Sequence, residues 1–301
     1  IRPLLAMAIT LAPLTAFGQN TKSGSGALNS NTTGNYNAAF GYHSLYSNTS
    51  GSSNVANGIY ALASNTTGDS NIANGSWSLY SNTTGSWNTV NGYSALYYNT
   101  TGNYNTATGV QALYSNTTGN YNTTGGAYSL LSNTTGGFNT ANGDHALYAN
   151  STGSYNTVSG CQALMSSGTG SYNTAQGFAA LRNSTGSNNI AIGYQSGWNL
   201  TTGSNNINIG NQGIAGESNT IHIGTGGTHT STFLAGVNKV SVSGGVAVYI
   251  NSAGQLGTVL SSRRYKENIR DMGRVSESLM ALRPVTFRYK ASVEKGARPT
   301  Q

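Results

Sequence analysis

The sequence predicts an all-β chain, a repetitive β-solenoid or β-roll that assembles as a homotrimer, followed by a small C-terminal α+β module. Three observations carry this. Charged residues make up 7% of 301 positions where ordinary domains hold ~25%, while glycine occurs 41 times and tyrosine 19 times. A chain so poor in Lys and Glu lacks the residues that coat surface helices, and one so rich in aromatics is not a disordered polar tract. The second observation is self-similarity at a fixed short period, and the third is a single leucine at one register of every unit.

The repeat fills residues 19–225. Glycines recur every 17 residues from Gly34 to Gly170 and continue at Gly186 and Gly203. A second glycine series runs seven residues behind, from Gly41 to Gly177 and then at Gly193 and Gly210. Asparagine stands three residues after each first glycine, from Asn37 to Asn206, and leucine eleven after it, from Leu45 to Leu181. Such a unit is too short for a helical hairpin and suits one coil of a solenoid. Two strands of about five residues would alternate with two tight turns. Both glycine series would supply positive φ, and Asn-Thr-Thr-Gly would be turn chemistry. Coils pairing at ~4.8 Å would make a rod about 50 Å long. The leucines would stack as an apolar ladder and the asparagines as an amide ladder. One leucine per coil, aided by Ala, Val or Ile, is a thin core, which predicts burial between chains.

Aromatics keep the same period. Tyr36, Trp87, Tyr104, Tyr121, Phe138, Tyr155 and Tyr172 stand two after the first glycine, and Tyr46, Tyr80, Tyr97, Tyr114 and Tyr148 follow the ladder leucine. They serve either as packing between coils or across a trimer seam, or as a stacking surface for sugars; packing is the commoner use. The threonine-rich pattern does not supply the paired outward array of an ice-binding face, because neighbouring residues of a strand point to opposite sides.

Residues 1–18 have the pattern of a signal peptide: Arg2, an apolar run from Leu4 to Leu14, and Ala16-Phe17-Gly18 before Gln19. The run is too short for a membrane span, which needs ~20 residues. Ile1 in place of Met is read as a start inside the gene. The net charge of +7 is concentrated at the other end, where residues 261–301 hold ten basic and four acidic side chains. Residues 25–230 carry only Arg182 against Asp69, Asp144 and Glu217, so no nucleic-acid partner is expected. Cys161 alone builds no disulfide framework, and its register is filled elsewhere by residues as different as Tyr42, Ile59 and Asp144. His43, His145, His222 and His229 share no metal spacing, and no cofactor is expected.

Gly-x-x-Asn-Thr-Ala-x-Gly at Gly102–Gly109, near-repeated through the chain, resembles the head repeat of trimeric autotransporter (YadA-like) adhesins. Asn189–Gly193 and Asn219–Gly224 resemble the shorter unit of those heads most closely. The resemblance implies a parallel β-roll that packs as a homotrimer and binds a host surface, matrix or glycan. This chain departs from it by its 17-residue unit with an inserted Leu-Tyr-Ser-Asn-Thr-Thr arm.

After the repeat, residues 226–260 read as a β stalk or connector. Val240, Val242, Val246, Val248 and Ile250 alternate with small or polar residues around Gly244-Gly245. In residues 261–301, Val275, Leu279 and Leu282 mark an amphipathic helix stopped by Pro284, and Val285, Phe287 and Tyr289 alternate as a strand. A lysine near a serine can act as its general base when burial lowers its pKa, but Ser261 with Lys266 is on spacing alone a solvated basic linker more often than a dyad. Ser-x-x-x-x-Lys-Glu-Asn-Ile, the helix, and Leu-Arg-Pro-Val-Thr-Phe-Arg-Tyr-Lys together resemble the intramolecular chaperone/autoprotease domain of phage tailspikes and endosialidases. That resemblance implies Ser261 as nucleophile, Lys266 as its base, and Leu260–Ser261 as the scissile bond of one single-turnover self-cleavage. Ser262 stands where the family carries Asp, and the domain is expected to extend past Gln301.

The sequence thus predicts a secreted, surface-exposed trimeric fibre or adhesin-like protein, or a phage virion tail fibre. Its C-terminal module would chaperone the fold and cleave itself off. The alternative is a polysaccharide-degrading or glycan-binding tailspike. A glycosidase needs paired carboxylates, and the three acids of the repeat lie in separate units.

Overall fold

The structure is a computed structural model that describes residues 18–234 and 245–258. It is all-β, a parallel solenoid with no helix among the described residues. Each coil contributes one three-residue strand: β1 (Thr21–Ser23), β2 (Ala38–Phe40), β3 (Val55–Asn57), β4 (Ile72–Asn74), β5 (Thr89–Asn91), β6 (Thr106–Thr108), β7 (Thr123–Gly125), β8 (Thr140–Asn142), β9 (Thr157–Ser159), β10 (Thr174–Gln176), β11 (Ile190–Ile192), β12 (Ile207–Ile209) and β13 (Ile221–Ile223). These form one 13-stranded sheet in sequence order, and the register carries one repeat onto the next, Thr106 opposite Thr123 and Ala107 opposite Thr124. At the usual strand spacing the sheet is about 60 Å long. The expected two longer strands per coil are therefore one short strand. The remaining residues run as turns whose main chains also pair from coil to coil: the Leu62 N–H donates to Ser78 O at 3.0 Å and Thr66 N–H to Thr83 O at 2.9 Å.

The reason lies in the corners. Positive φ is adopted chiefly by side-chain-bearing residues, three per coil: the aromatic slot (Tyr104, 56°), the residue two after the second glycine (Gln111, 51°) and the ladder leucine (Leu113, 55°). A left-handed residue with a Cβ costs ~1–2 kcal/mol, and a coil with three of them cannot continue as extended strand. The second glycines do take positive φ, as at Gly58 (144°). The first glycines do not, and their need for glycine is close approach. A Cβ on Gly102 would lie 2.5 Å from Gly119 O and 2.9 Å from Asn116 Nδ2.

Two asparagine ladders close on that glycine. In the expected ladder, Asn105 Nδ2 donates to Asn88 Oδ1 at 3.1 Å and to Gly119 O at 2.9 Å, while the Asn105 main-chain N–H also donates to Asn88 Oδ1 at 3.0 Å. The second ladder, Asn31 through Asn150, comes from the Asn-Thr-Thr-Gly that reads in sequence as turn chemistry. Asn116 Nδ2 donates to Asn99 Oδ1 at 2.8 Å and to the same Gly119 carbonyl at 3.0 Å. Both ladders are buried in every repeat from Asn48 to Asn139. Fully paired amides in a dry interior fix register, because a slip would leave each one unpartnered.

The core is complete within one chain. The ladder leucines from Leu45 to Leu181 and the inward strand residues such as Ala107 and Val158 are 0% exposed. The expected burial of this core between chains is thus overturned: tight corners let the coil close on itself, with Ala and Ser filling the space beside each leucine. Any trimer must rest on other surfaces.

The chain divides at Thr232–Phe233 into two units. In the second, β14 (Tyr249–Ile250) pairs antiparallel with β15 (Leu256–Gly257) across a turn in which Asn251 Oδ1 accepts from the Ala253 and Gln255 main-chain N–H groups, both at 3.0 Å. This hairpin turns at Asn251–Gln255, while the part of the expected stalk from Val240 to Gly244 lies outside the described residues. The signal-peptide reading and the helix and strand after residue 260 lie outside them.

Candidate functional surface

Three columns face outward from the sheet side of each coil: the aromatic slot and the first and third residues of each strand, the middle residue pointing inward. From β5 to β10 the first strand position is threonine six times running, Thr89, Thr106, Thr123, Thr140, Thr157 and Thr174, and the third holds Asn91, Thr108, Gly125, Asn142, Ser159 and Gln176. Only at Thr106 and Thr108 do two threonines stand side by side, so the face is a single threonine column.

Beside it runs a ladder of six rings. Tyr104–Tyr121, Tyr121–Phe138, Phe138–Tyr155 and Tyr155–Tyr172 stack with centroids 4.8–5.0 Å apart and planes within 13°, and Trp87 lies parallel above Tyr104 at 6.1 Å. Each ring is about half exposed, Tyr121 at 49%, but what it shows is its edge. A sugar stacks on a ring face, and inside this ladder both faces are covered by neighbouring rings. The aromatics serve packing between coils, the commoner of the two uses weighed from the sequence. Tyr36 stands apart, because Ser53 and Ser70 occupy its register in the next two coils.

A second aromatic column was missed, although it too repeats in the sequence, two residues after the second glycine. Tyr60 and Trp77 stack at 4.4 Å, and the expected Tyr80, Tyr97 and Tyr114 stack alongside at 5.0 and 5.3 Å. Burial, followed by repulsion from neighbouring phenols, raises the Tyr97 pKa above the ordinary tyrosine value. Tyr114 is raised by burial first and then by its bond to Tyr98.

The ionisable groups are scattered. Asp144 pairs with His145 at 2.7 Å, and Cys161 Sγ lies 3.9 Å from the same carboxylate oxygen. Glu217 pairs with His222 at 2.8 Å in the last coil. Among the described residues, no three His, Cys, Asp or Glu side chains gather where they could hold a metal, and no helix is long and apolar enough to cross a membrane. An open cleft of about 490 Å³ beside Tyr194, Asn211 and Thr228 is lined by no carboxylate, lysine, arginine, histidine or cysteine. Leu260, Ser261 and Lys266 lie outside the described residues.

The last three coils depart from this plan. The inward column turns polar: Asn208 is fully buried with neither amide atom partnered, and His222 follows it. The outward columns turn apolar, with isoleucine at both positions of β11, β12 and β13.

Compared with known families, residues 261–300 match the family described as the chaperone of endosialidase. No curated protein and no solved structure matches the chain.

Proposed function

We propose that the protein is a homotrimeric, exported fibre of the phage tail-fibre or endosialidase-associated kind. Its solenoid is the working rod, and the segment from Ser261 is a folding chaperone. The observation that supports this best is the placement of a chaperone-of-endosialidase segment at residues 261–300, downstream of a β-solenoid. Such a rod gains from a chaperone for a physical reason: coils of nearly identical sequence can pair out of register, and every strand is parallel, so contacts form only after a loop of 14–17 residues has closed.

The same reading assigns Ser261 as nucleophile, Lys266 as the base that accepts its proton, and Leu260–Ser261 as the bond broken. Attack by the hydroxyl on the Leu260 carbonyl would give an ester that water hydrolyses, leaving a rod ending at Leu260. A surface-binding, adhesin-like role for that rod follows the likeness of its repeats to trimeric adhesin heads. The polysaccharide-degrading alternative gains no support from the described residues, whose carboxylates sit on separate coils.

Intact mass spectrometry of the full-length chain beside Ser261→Ala tests the cleavage. A species ending at Leu260 in the first and absent from the second is expected. An uncut chain in both would remove the Ser261–Lys266 assignment and leave a retained chaperone segment.

A further inference from the structure

We infer that the isoleucine face of β11–β13 is where copies of this chain pack together, while the threonine face of β5–β10 stays outside the seam. This rests on the trimer reading above and assigns its contact surface.

The first observation is the change of side chain at constant geometry. Position by position, Ile190, Ile207 and Ile221 continue the column of Thr157 and Thr174, and Ile192, Ile209 and Ile223 continue that of Ser159 and Gln176. The backbone makes no new demand there, since the same parallel register runs through β10 and β11. β-branched side chains suit a strand, but threonine meets that preference as well. What isoleucine adds is apolar surface, and it adds it on the solvent side. Ile221 and Ile223 remain 67% and 70% exposed in the single chain. Earlier strands carry at most one large apolar residue outward, as Phe40, Val55 or Ile72, beside small or polar neighbours. Only on these three strands are both outward positions aliphatic. A contiguous apolar patch on an otherwise polar rod marks an interaction surface.

The occupant we assign is a second copy of this chain. Two features favour it. The patch lies on the last three strands of the solenoid, the part of the rod nearest in sequence to the chaperone-of-endosialidase segment that would gather the chains. The face is also self-complementary: a flat array with one side chain per strand at ~4.8 Å matches its own copy, and sheets pack face to face about 10 Å apart. Between Arg182 and Lys239 the chain carries one carboxylate, Glu217, paired with His222 at 2.8 Å, and no lysine or arginine, so little like charge opposes the contact.

Single cysteines test the assignment in the full-length chain with Cys161→Ser as background. Ile209→Cys and Thr106→Cys are treated with a maleimide under native conditions, and the mass of the assembly is measured by light scattering. A trimer in which Ile209→Cys reacts at least about ten-fold more slowly than Thr106→Cys is expected, because the core of an interface excludes water and reagent. A trimer in which both react at the same rate, or Thr106→Cys more slowly, overturns the seam and leaves the trimer standing. A monomer overturns both. A second variant, Ile209→Thr with Ile223→Thr, places at these sites the residue β6 already carries at Thr108, so the coil should keep its fold. The trimer should then dissociate on greater dilution than wild type, and an unchanged dissociation would count against the seam.

Discussion

The coils of β5–β10 and those of β11–β13 are built on one backbone plan and solve opposite problems. In the first group the ladder amides inside are partnered in the adjacent coils, Thr124 alone holding an unpartnered buried hydroxyl on these strands, and the outside is an edge-on ring ladder beside threonine. In the second, one ladder has stopped and the interior holds an unpartnered amide, while the outer face is isoleucine. The second asparagine ladder ends where Ser167 Oγ donates to Asn150 Oδ1 at 3.2 Å, and one coil later Ser184 Oγ has no partner. The first ladder ends at Asn206, whose Oδ1 accepts from the Thr220 hydroxyl at 2.8 Å. The middle of the rod is thus specified by repetition and its end by exceptions. Repetition makes stability a sum of nearest-neighbour terms, so damage in the middle should cost more than damage at the end.

The largest expected break in this contrast is Asn122→Ala. It strands the Asn139 main-chain N–H, takes one acceptor from the Asn139 side-chain amide and takes one donor each from Asn105 Oδ1 and Gly136 O, all buried. At ~1–3 kcal/mol for the stranded N–H, with the three weakened neighbours adding to it, the loss should be several kcal/mol. Asn206→Ala strands partners that are only partly buried and that water can reach, so its cost should be clearly smaller. Equilibrium denaturation of both variants, with hydrogen exchange to locate the opening, decides it; equal losses would mean that the ladder does not hold the rod. Next in size is Leu113→Ala, a cavity in the core that should cost about 2–5 kcal/mol. Ile223→Ala should be nearly neutral in a single chain because that side chain is exposed.

Much of this architecture was legible in the sequence. Two glycine registers and one asparagine and one leucine column are enough to name a solenoid with an amide ladder, because only residues in identical environments can recur at one spacing. The strand count per coil was not legible. Leu113, Gln111 and Tyr104 adopt left-handed backbone that their types disfavour, so propensity points away from the corners they form. Asn116 was misread because Asn-Thr-Thr-Gly is ordinary turn chemistry, and whether such an amide faces water or a neighbouring coil depends on tertiary closure. The Ser261–Lys266 pair was legible only as family resemblance, since spacing alone does not separate a dyad from a basic linker.

The ring ladder gives a graded test. Tyr121 stacks on two neighbours, whereas Trp87 has Tyr104 on one side and Ser70 at the same register on the other. An aromatic pair is worth ~0.5–1.5 kcal/mol beyond area burial, so Tyr121→Ser should cost about twice as much as Trp87→Ser measured on that scale. Both replacements have a precedent in Ser53, which holds the same left-handed corner. Alkaline pH acts on the other aromatic column. Tyr97 and Tyr114 hold their protons more tightly when folded than when unfolded. Their contribution is therefore intact below the ordinary tyrosine value, about pH 10, and is lost as pH climbs through the raised folded values. Thermal melts followed by circular dichroism should be flat up to that point and fall beyond it, and Tyr97→Phe should shrink the fall.

One further effect has the opposite sign. Thr124 points inward from β7, in a column of alanine and valine, and its hydroxyl is buried without a partner. Valine has nearly the same shape, and the column already accepts it at Val90 and Val158. Replacing an unsatisfied hydroxyl by a methyl removes a desolvation cost of ~1–3 kcal/mol without opening a cavity, so Thr124→Val should raise the midpoint of unfolding. The matching change at the end of the rod, Asn208→Ala, removes two unpartnered amide atoms but also leaves a hole beside Leu200 and Gly213, since their side-chain and backbone atoms already bound that space. Its gain should be smaller than that of Thr124→Val, or reversed. If instead Asn208→Ala stabilises more, the polar end of the core is a cost the rod carries for its last coils, and the contrast between middle and end is one of selection for something other than stability.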